Sequence, residues 1–292
     1  MPNHPSDASK PGSPGRSADR RPRARIASDD TRWRTAITDI EPNRILIRGY
    51  PVDELMGRLS FGEAVYLILR GELPSPSIGR LFTAALVSLI DHGVTPPSTL
   101  AARNVATAGA PLRVCVAAGV LGFGTFHGGD IESCMHFLRS GLALVRGGRS
   151  EHEAAEEIAT RTLAAGLPPP GFGHRIHTSD PRAARLFQMA HQLELDGEHI
   201  AMMRSVERVL AARPDAAERP LPVNVDGAIA AVCADLGFEP ELGNALFIVA
   251  RIPGLIAHAH EERVRQKPMR QIDPKDHMYD GPPERRLPET RK

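Results

Sequence analysis

Cysteine is scarce in this chain: Cys115, Cys134 and Cys233 are the three among 292 residues. An odd number so widely spaced supports neither a disulfide framework nor a paired-cysteine zinc site, and it points to a reducing, cytoplasmic setting. Neither charge sign is in surplus, since 36 Lys+Arg against 35 Asp+Glu leave a formal net charge of +1. The electrostatic footprint of a nucleic-acid binder or a membrane-surface protein is therefore missing. No stretch approaches the roughly 18 uninterrupted apolar residues of a membrane span. The opening "MPNHPSDASKPGSPGRSADRRPRAR" has no apolar core for a secretory signal. Its prolines, with Asp7 and Asp19, also break the basic amphipathic pattern of a mitochondrial presequence. Residues 1–28 are expected to be a disordered tail, and residues 281–292, with "PPERRLPETRK", a mobile one.

Two further absences set the fold class. Almost no segment alternates polar and apolar with period two, and no internal repeat is visible, so the fold is expected to be mainly α. "ILIRGY" is the candidate strand. "LSFGEAVYLILRGELP" reads as a helix, with Ser60 and Glu63 as a capping box and Gly71 as its stop. Ile78 to Ile90 is a second helix, and "DHGVTPPST" a loop. Thr99 to Gly122 suits a buried helix of small apolar residues, ended by "GFGTFHGGD". Ser150 and Glu153 start another helix running through Ala154 to Ala165. Asp180 followed by Pro181 starts a long helical stretch to Ala212, broken near Asp196-Gly197. Val223 to Leu236 and Leu242 to Arg265 complete the pattern. With 41% hydrophobic residues, a length of 292 allows one large domain or two ordinary ones.

Polar residues that helix packing does not require collect in a few junctions. These are Asp91-His92-Gly93, Phe126-His127-Gly128-Gly129, "GFGHRIHTSDPRA" (171–183) and Asn224-Val225-Asp226-Gly227, with the basic "RIPGLIAHAHEERVRQKPMR" near the end. Each has a plain structural alternative: a histidine beside glycines is commonly a turn residue, and Asp226 can simply cap the helix that follows. Metal binding is the sharper rival. His174 and His177 are spaced to share a helix face, but prolines bracket a loop there. His258 and His260 point apart if helical. With no His-Glu-x-x-His motif and no cysteine pair, no metal is expected.

Taken together and in order, the segments resemble the citrate synthase superfamily, over about Thr31 to Tyr279. "LSFGEAVYLILRGELP" looks like its early helix and "DHGVTPPSTLAAR" like its oxaloacetate-side loop. "HGGDIE" is similar to the family's His-Gly-Gly-Ala-Asn-Glu element. "GFGHRIHTSDPRA" is close to the Gly-x-Gly-His-Arg…Asp-Pro-Arg signature, and "RIPGLIAH" matches the Arg-x-x-Gly-x-x-(Ala/Gly)-His helix. The resemblance implies a citrate-synthase-like multi-helix fold over residues 29–280, with a large helical domain and a small helical subdomain at roughly 170–240. It also implies an obligate homodimer, into which the small-residue helix Val114 to Gly122 would fit as a close contact. Coenzyme A enters as a thioester substrate or product, with no covalently bound cofactor.

The resemblance implies the roles as well. His127 would hydrogen-bond the thioester oxygen, His174 would polarise the ketone of oxaloacetate, and Asp226 would move the methyl proton of acetyl-CoA. Arg182, Arg251 and a C-terminal arginine would grip carboxylates, with His92 nearby. Arg270 is the candidate for that last arginine, supplied across the dimer, although Arg263 and Arg265 are close by. The Pro170-Gly171-Phe172-Gly173 backbone would face the CoA adenine. The chemistry is coherent. A thioester enolate needs a fixed donor, a carboxylate base needs desolvation, and a tricarboxylate needs planar, permanently charged partners.

Direction stays open at this point. "DHG" and "NVDG", and the C-terminal "IAHAHEERVRQKPMRQIDPKDHMYDGP", resemble citryl-CoA lyases and the lyase module of ATP citrate lyase more than synthases. The chain is also short beside an ordinary synthase. Cleavage of citryl-CoA is the expected reaction. The alternatives are citrate synthase, a 2-methylcitrate-type enzyme, and a non-catalytic CoA or citrate sensor, which would be expected to lose the acid–base residues.

Overall fold

The computed structural model describes residues 33–125, 127–174 and 178–287. The expected tail at 1–28, the residue His177 and the last five residues of the expected mobile tail lie outside these. The chain divides into two units, Met1–Ala36 and Ile37–Lys292. All regular elements described belong to the second: eleven α-helices and one small sheet.

The sheet is an antiparallel meander of β1 (Thr38–Glu41), β2 (Arg44–Ile47) and β3 (Tyr50–Pro51), with Thr38 opposite Ile47 and Ile47 opposite Tyr50. "ILIRGY" thus folds as parts of two strands. Arg48 and Gly49, both at positive φ, turn the chain between them. A single turn, α1 (Val52–Leu55), leads to α2 (Phe61–Arg70) and α3 (Pro76–Ser88). Ser60 and Glu63 form both halves of the capping box, and Gly71 ends α2 at φ 82°.

The expected single helix from Thr99 to Gly122 is two, α4 (Pro97–Thr107) and α5 (Leu112–Leu121). Gly109, at φ 85°, reverses the chain, and Pro111 has no N–H with which to continue a helix. The next helix, α6 (Asp130–Arg146), is one to which sequence reading assigns nothing. Its N-cap is Gly129, without a side-chain cap, so no local start signal marks it. Yet Ile131, Cys134, Met135, Leu138 and Leu142 line its buried face at helical spacing. Then follow α7 (Glu151–Ala164), α8 (Pro181–Gln192), α9 (Glu198–Ala211), α10 (Val225–Asp235) and α11 (Gly243–Arg265).

Helix α10 is the axis of the core. Nine of its eleven residues are buried, and it packs against α6, α8 and α9. A helix apolar on every side belongs in the interior. Gly227 lets the Pro170–Gly173 segment lie on its first turn, since a Cβ there would come within 2.3 Å of the Gly171 carbonyl oxygen. Helix α11 runs beside α4 and α5. By length and composition Pro240–Arg265 is apolar enough to cross a membrane, with mean hydropathy 1.4 over its most apolar 18 residues, 44% of them buried. It serves here as a core helix, holding Arg251 and Glu262 inside the fold. Gly254 is required where α11 crosses the chain before His92, because a Cβ would stand 2.5 Å from the Ile90 carbonyl oxygen.

Candidate active site

Four helix N-termini carry polar side chains of the site. Ser98 lies in the first turn of α4, Asp130 opens α6, Arg182 follows Pro181 in α8, and Asp226 is the second residue of α10. Helix starts present unpaired N–H groups and a partial positive charge, a setting that favours anions.

His127 sits in a tight backbone turn closed by mutual hydrogen bonds with Gly124, each 2.9 Å. Gly128 follows at φ 79°, and Phe123 and Phe247 pack against the imidazole. Ring Nε2 is 2.7 Å from the hydroxyl of Ser98, which is fully buried. With Ser98 donating, the one ring proton sits on Nδ1, where it can be given to an acceptor. Burial, then the positive Arg251 and then His92, push the His127 pKa down to about 4. At neutral pH it is an uncharged donor.

Asp226 does not cap its helix. Asn224 does, its side-chain oxygen accepting from Gly227 N–H at 3.0 Å. The Asp226 Oδ1 is buried with no hydrogen-bond partner among the described residues. Burial, followed by the nearby Asp130, lifts its pKa to about 6 against the opposing pull of Arg182 and Arg251. A carboxyl so poised can take or give a proton near neutral pH.

Two arginines stand by. Asp180 caps α8 by accepting the Arg182 N–H, and takes a fork of 3.0 and 2.9 Å from the Arg182 guanidinium. The same carboxylate accepts Val225 N–H at 3.1 Å, so one buried residue fixes both Arg182 and the helix carrying Asp226. Arg251 is 2% exposed, gives Nε–H to the Leu89 carbonyl at 2.7 Å and lies over the Phe247 ring. Its Nη1 is buried without a partner among the described residues. A buried guanidinium with an unmet donor is costly unless an anion meets it.

His92 and His174 complete the cluster, their rings edge to face with centroids 6.4 Å apart. Burial, and then the positive Arg182 and Arg251, hold His92 below its ordinary value. Asp91 steadies the loop, accepting from Gly93 N–H at 2.9 Å and pairing with His258 Nε2 at 3.0 Å. A cavity of about 520 Å³ opens behind this loop, lined by Ile90, Asp91, Pro253, Gly254, Ala257, His258 and Glu261, and it touches none of His127, His174 and Asp226. In the Pro170–Gly173 segment Phe172 is turned into the core against Phe137 and bridges Val223, and the backbone is tied inward, with Gly173 N–H given to the Pro222 carbonyl at 2.8 Å and the Gly173 carbonyl accepting from the Asn224 side chain at 3.1 Å.

Arg270 is placed apart from this cluster within the chain. Its guanidinium closes on Glu262, which also takes Arg103 at 2.7 Å, and its backbone N–H goes to Thr107. Burial would raise the Glu262 carboxyl, but the hydrogen bonds from Arg270 and Arg103 outweigh it and hold the group ionised. Among the described residues no group of three or more His, Cys, Asp and Glu is placed to hold a metal ion. Sequence reasoning missed Ser98, Asp130 and the bridging role of Asp180. The available signal was weak: Ser98 lies in a stretch taken for a loop, and Asp130 stands where the similar family element has alanine.

A family model described as citrate synthase, C-terminal domain, matches residues 74–272. Among solved structures, citryl-CoA lyase from Hydrogenobacter thermophilus is similar at 44% identity and a TM-score of 0.79, covering 88% of this chain and 97% of that one. ATP citrate lyase from Methanothrix soehngenii, in complex with citrate and coenzyme A, shares the fold at 22% identity and a TM-score of 0.73, over 89% of this chain and 43% of that one. "Citrate synthase 2" of Bacillus subtilis is 33% identical over 199 residues, 66% of this chain; the chain spans half the length of that relative. The family model covers most of the chain: the chain belongs to the citrate synthase superfamily of enzymes.

Proposed function

We propose that the protein cleaves citryl-CoA to acetyl-CoA and oxaloacetate. The observation that carries this direction is the likeness to citryl-CoA lyase at 44% identity over 97% of that chain. His174 takes the proton of the tertiary hydroxyl. The bond from that carbon to the thioester-bearing methylene breaks, the hydroxyl carbon becomes the ketone of oxaloacetate, and the electron pair leaves as the thioester enolate. Neutral His127 donates to the enolate oxygen, a contribution of about 3 kcal/mol for one well-aimed donor. Protonated Asp226 delivers its proton to the methylene carbon and yields acetyl-CoA. Arg182 and Arg251 hold the carboxylates, with His92 beside them.

The second reading is citrate synthesis, which runs these steps in reverse and then hydrolyses the citryl thioester. The 33% identity to "Citrate synthase 2" favours it. Incubation with synthetic citryl-CoA, with CoA, acetyl-CoA, oxaloacetate and citrate all quantified, decides. Acetyl-CoA and oxaloacetate as main products support cleavage; free CoA and citrate as main products overturn it. The homodimer belongs to the same proposal. Val114 and Leu121 of α5 are 43% and 85% exposed, and Leu100 of the adjacent α4 is 47% exposed, an apolar face suited to a second copy. A monomeric mass by light scattering would remove that part.

A further inference from the structure

Asp130 is a carboxylate of the site to which the proposed reaction gives no task. Its Oδ2 accepts the Gly171 N–H at 2.7 Å. The Gly171 carbonyl oxygen in turn accepts the Asn224 N–H at 3.0 Å. A Cβ on Gly171 would come within 2.6 Å of both Gly227 Cα and Cys134 Sγ. The start of α6, the Pro170–Gly173 segment and the first turn of α10 are thus pressed together at one point, one residue from Asp226.

We propose that Asp130 is a positioning residue for citryl-CoA cleavage, fastening the Pro170–Gly173 segment onto the first turn of α10 and setting a negative charge beside Asp226. The inference rests on the reading of Asp226 as the acid that protonates the enolate. The groups around Asp226 divide by sign. Burial, Asp130 of α6 and Asp180 ahead of α8 favour its protonated form, while Arg182 of α8 and Arg251 of α11 favour the ionised form. Cys134 of α6 is a buried, uncharged thiol beside both carboxylates. From α9, Glu207 accepts Val223 N–H at 3.1 Å, and the charged residue of α3, Arg80, is exposed. Burial raises the Asp130 carboxyl and the Gly171 hydrogen bond opposes it. Seating the segment therefore favours ionised Asp130, and an ionised Asp130 favours protonated Asp226. An alanine at this position, as in the family element, supplies neither the anchor nor the charge.

The test uses Asp130→Asn and Asp130→Ala in the full chain, with citryl-CoA cleavage followed from about pH 5 to 9 and CoA affinity measured by calorimetry. Asparagine keeps an acceptor for Gly171 but loses the charge. Its CoA affinity should stay within about twofold of wild type, while the alkaline limb of kcat moves down by about one pH unit, the scale of a neighbouring charge. Alanine loses both, so the limb moves equally and CoA binding weakens by about tenfold, one lost charged hydrogen bond. An unmoved limb in Asp130→Asn, or wild-type CoA affinity in Asp130→Ala, overturns the proposal. If wild type fails to cleave citryl-CoA, the lyase reading alone has failed. Deuterium exchange into the methyl group of acetyl-CoA with oxaloacetate present then reads the same Asp130 effect, as an acid limb moved down by the same amount.

Discussion

Replacing Asp226 with asparagine should make the protein both inactive and more stable, and the gain should depend on pH. In the folded chain burial and Asp130 raise the Asp226 pKa from 3.8 to about 6. The folded state therefore binds this proton more tightly than the unfolded one. Between those two values the unfolded chain holds fewer protons on this group, so stability falls as pH rises through the window. Two pKa units at about 1.4 kcal/mol each make the full cost about 3 kcal/mol above the window and nothing below it. Asparagine keeps the shape and removes the charge, recovering about 1–3 kcal/mol at neutral pH, the lower figure if its amide finds no buried partner. Denaturant unfolding of both proteins from pH 4 to 8 reads the difference: near zero at the acid end and largest above pH 7. Turnover should fall by at least about 10²-fold, as for loss of a general acid–base group. A stability difference that is constant across this range would refute the buried-charge argument, and normal turnover in the folded variant would exclude Asp226 as the acid–base group.

Ser98→Ala releases His127 Nε2 and should lower kcat for citryl-CoA by about tenfold with little change in KM, about the worth of one hydrogen bond; an unchanged kcat would show that Ser98 does not set the tautomer. Arg251→Met should abolish the thermal stabilisation that saturating citrate gives the wild type, since ligand stabilisation scales with affinity; a retained shift would place the carboxylate grip elsewhere. Arg182 and Arg251 depress the Asp226 pKa, and bound carboxylates offset their charge, so the alkaline limb of kcat should lie above that of kcat/KM; coincident limbs would contradict the charge balance drawn for the site. Mixing inactive Arg270→Ala and Asp226→Asn subunits should restore part of the activity if Arg270 serves the neighbour's site, which requires it to leave Glu262; no rescue after confirmed subunit exchange would leave Arg270 as the clasp seen within the chain.

Much of the helical order was legible because its signals are local. The boxes at Ser60–Glu63 and Ser150–Glu153, and the Asp180-Pro181 start, each lie within a few residues and formed as read. Helix α6 was not legible, since glycines frame it and its reason to exist is the face it buries against α10 and α7. Composition hid the break between α4 and α5: the small apolar residues on both sides read as one run, and Pro111 was absorbed into it. At the site, His127, His174, Arg182, Asp226 and Arg251 were marked by motif. Ser98, Asp130 and the bridge from Asp180 to Val225 were not, because the partners are 29, 41 and 45 residues away in the chain. No sequence window contains such a pair.

The proposed reaction would also account for the same few helix starts carrying both arginines and carboxylates. In the proposed cleavage a citryl thioester would bring several negative charges to a site whose own acid must be protonated as the bond breaks. Arginines alone would hold the substrate and keep Asp226 ionised; carboxylates alone would protonate Asp226 and repel the substrate. The fold interleaves them. Asp180 clamps Arg182 in its fork, Arg251 keeps one buried donor unmet, and Asp130 stands on the far side of the Gly171 contact. When carboxylates arrive they offset the arginines, while burial and the two aspartates continue to act on Asp226. On the proposed reading, substrate binding itself would then shift the balance towards the protonated acid, with the proton in place for the carbon–carbon bond to break.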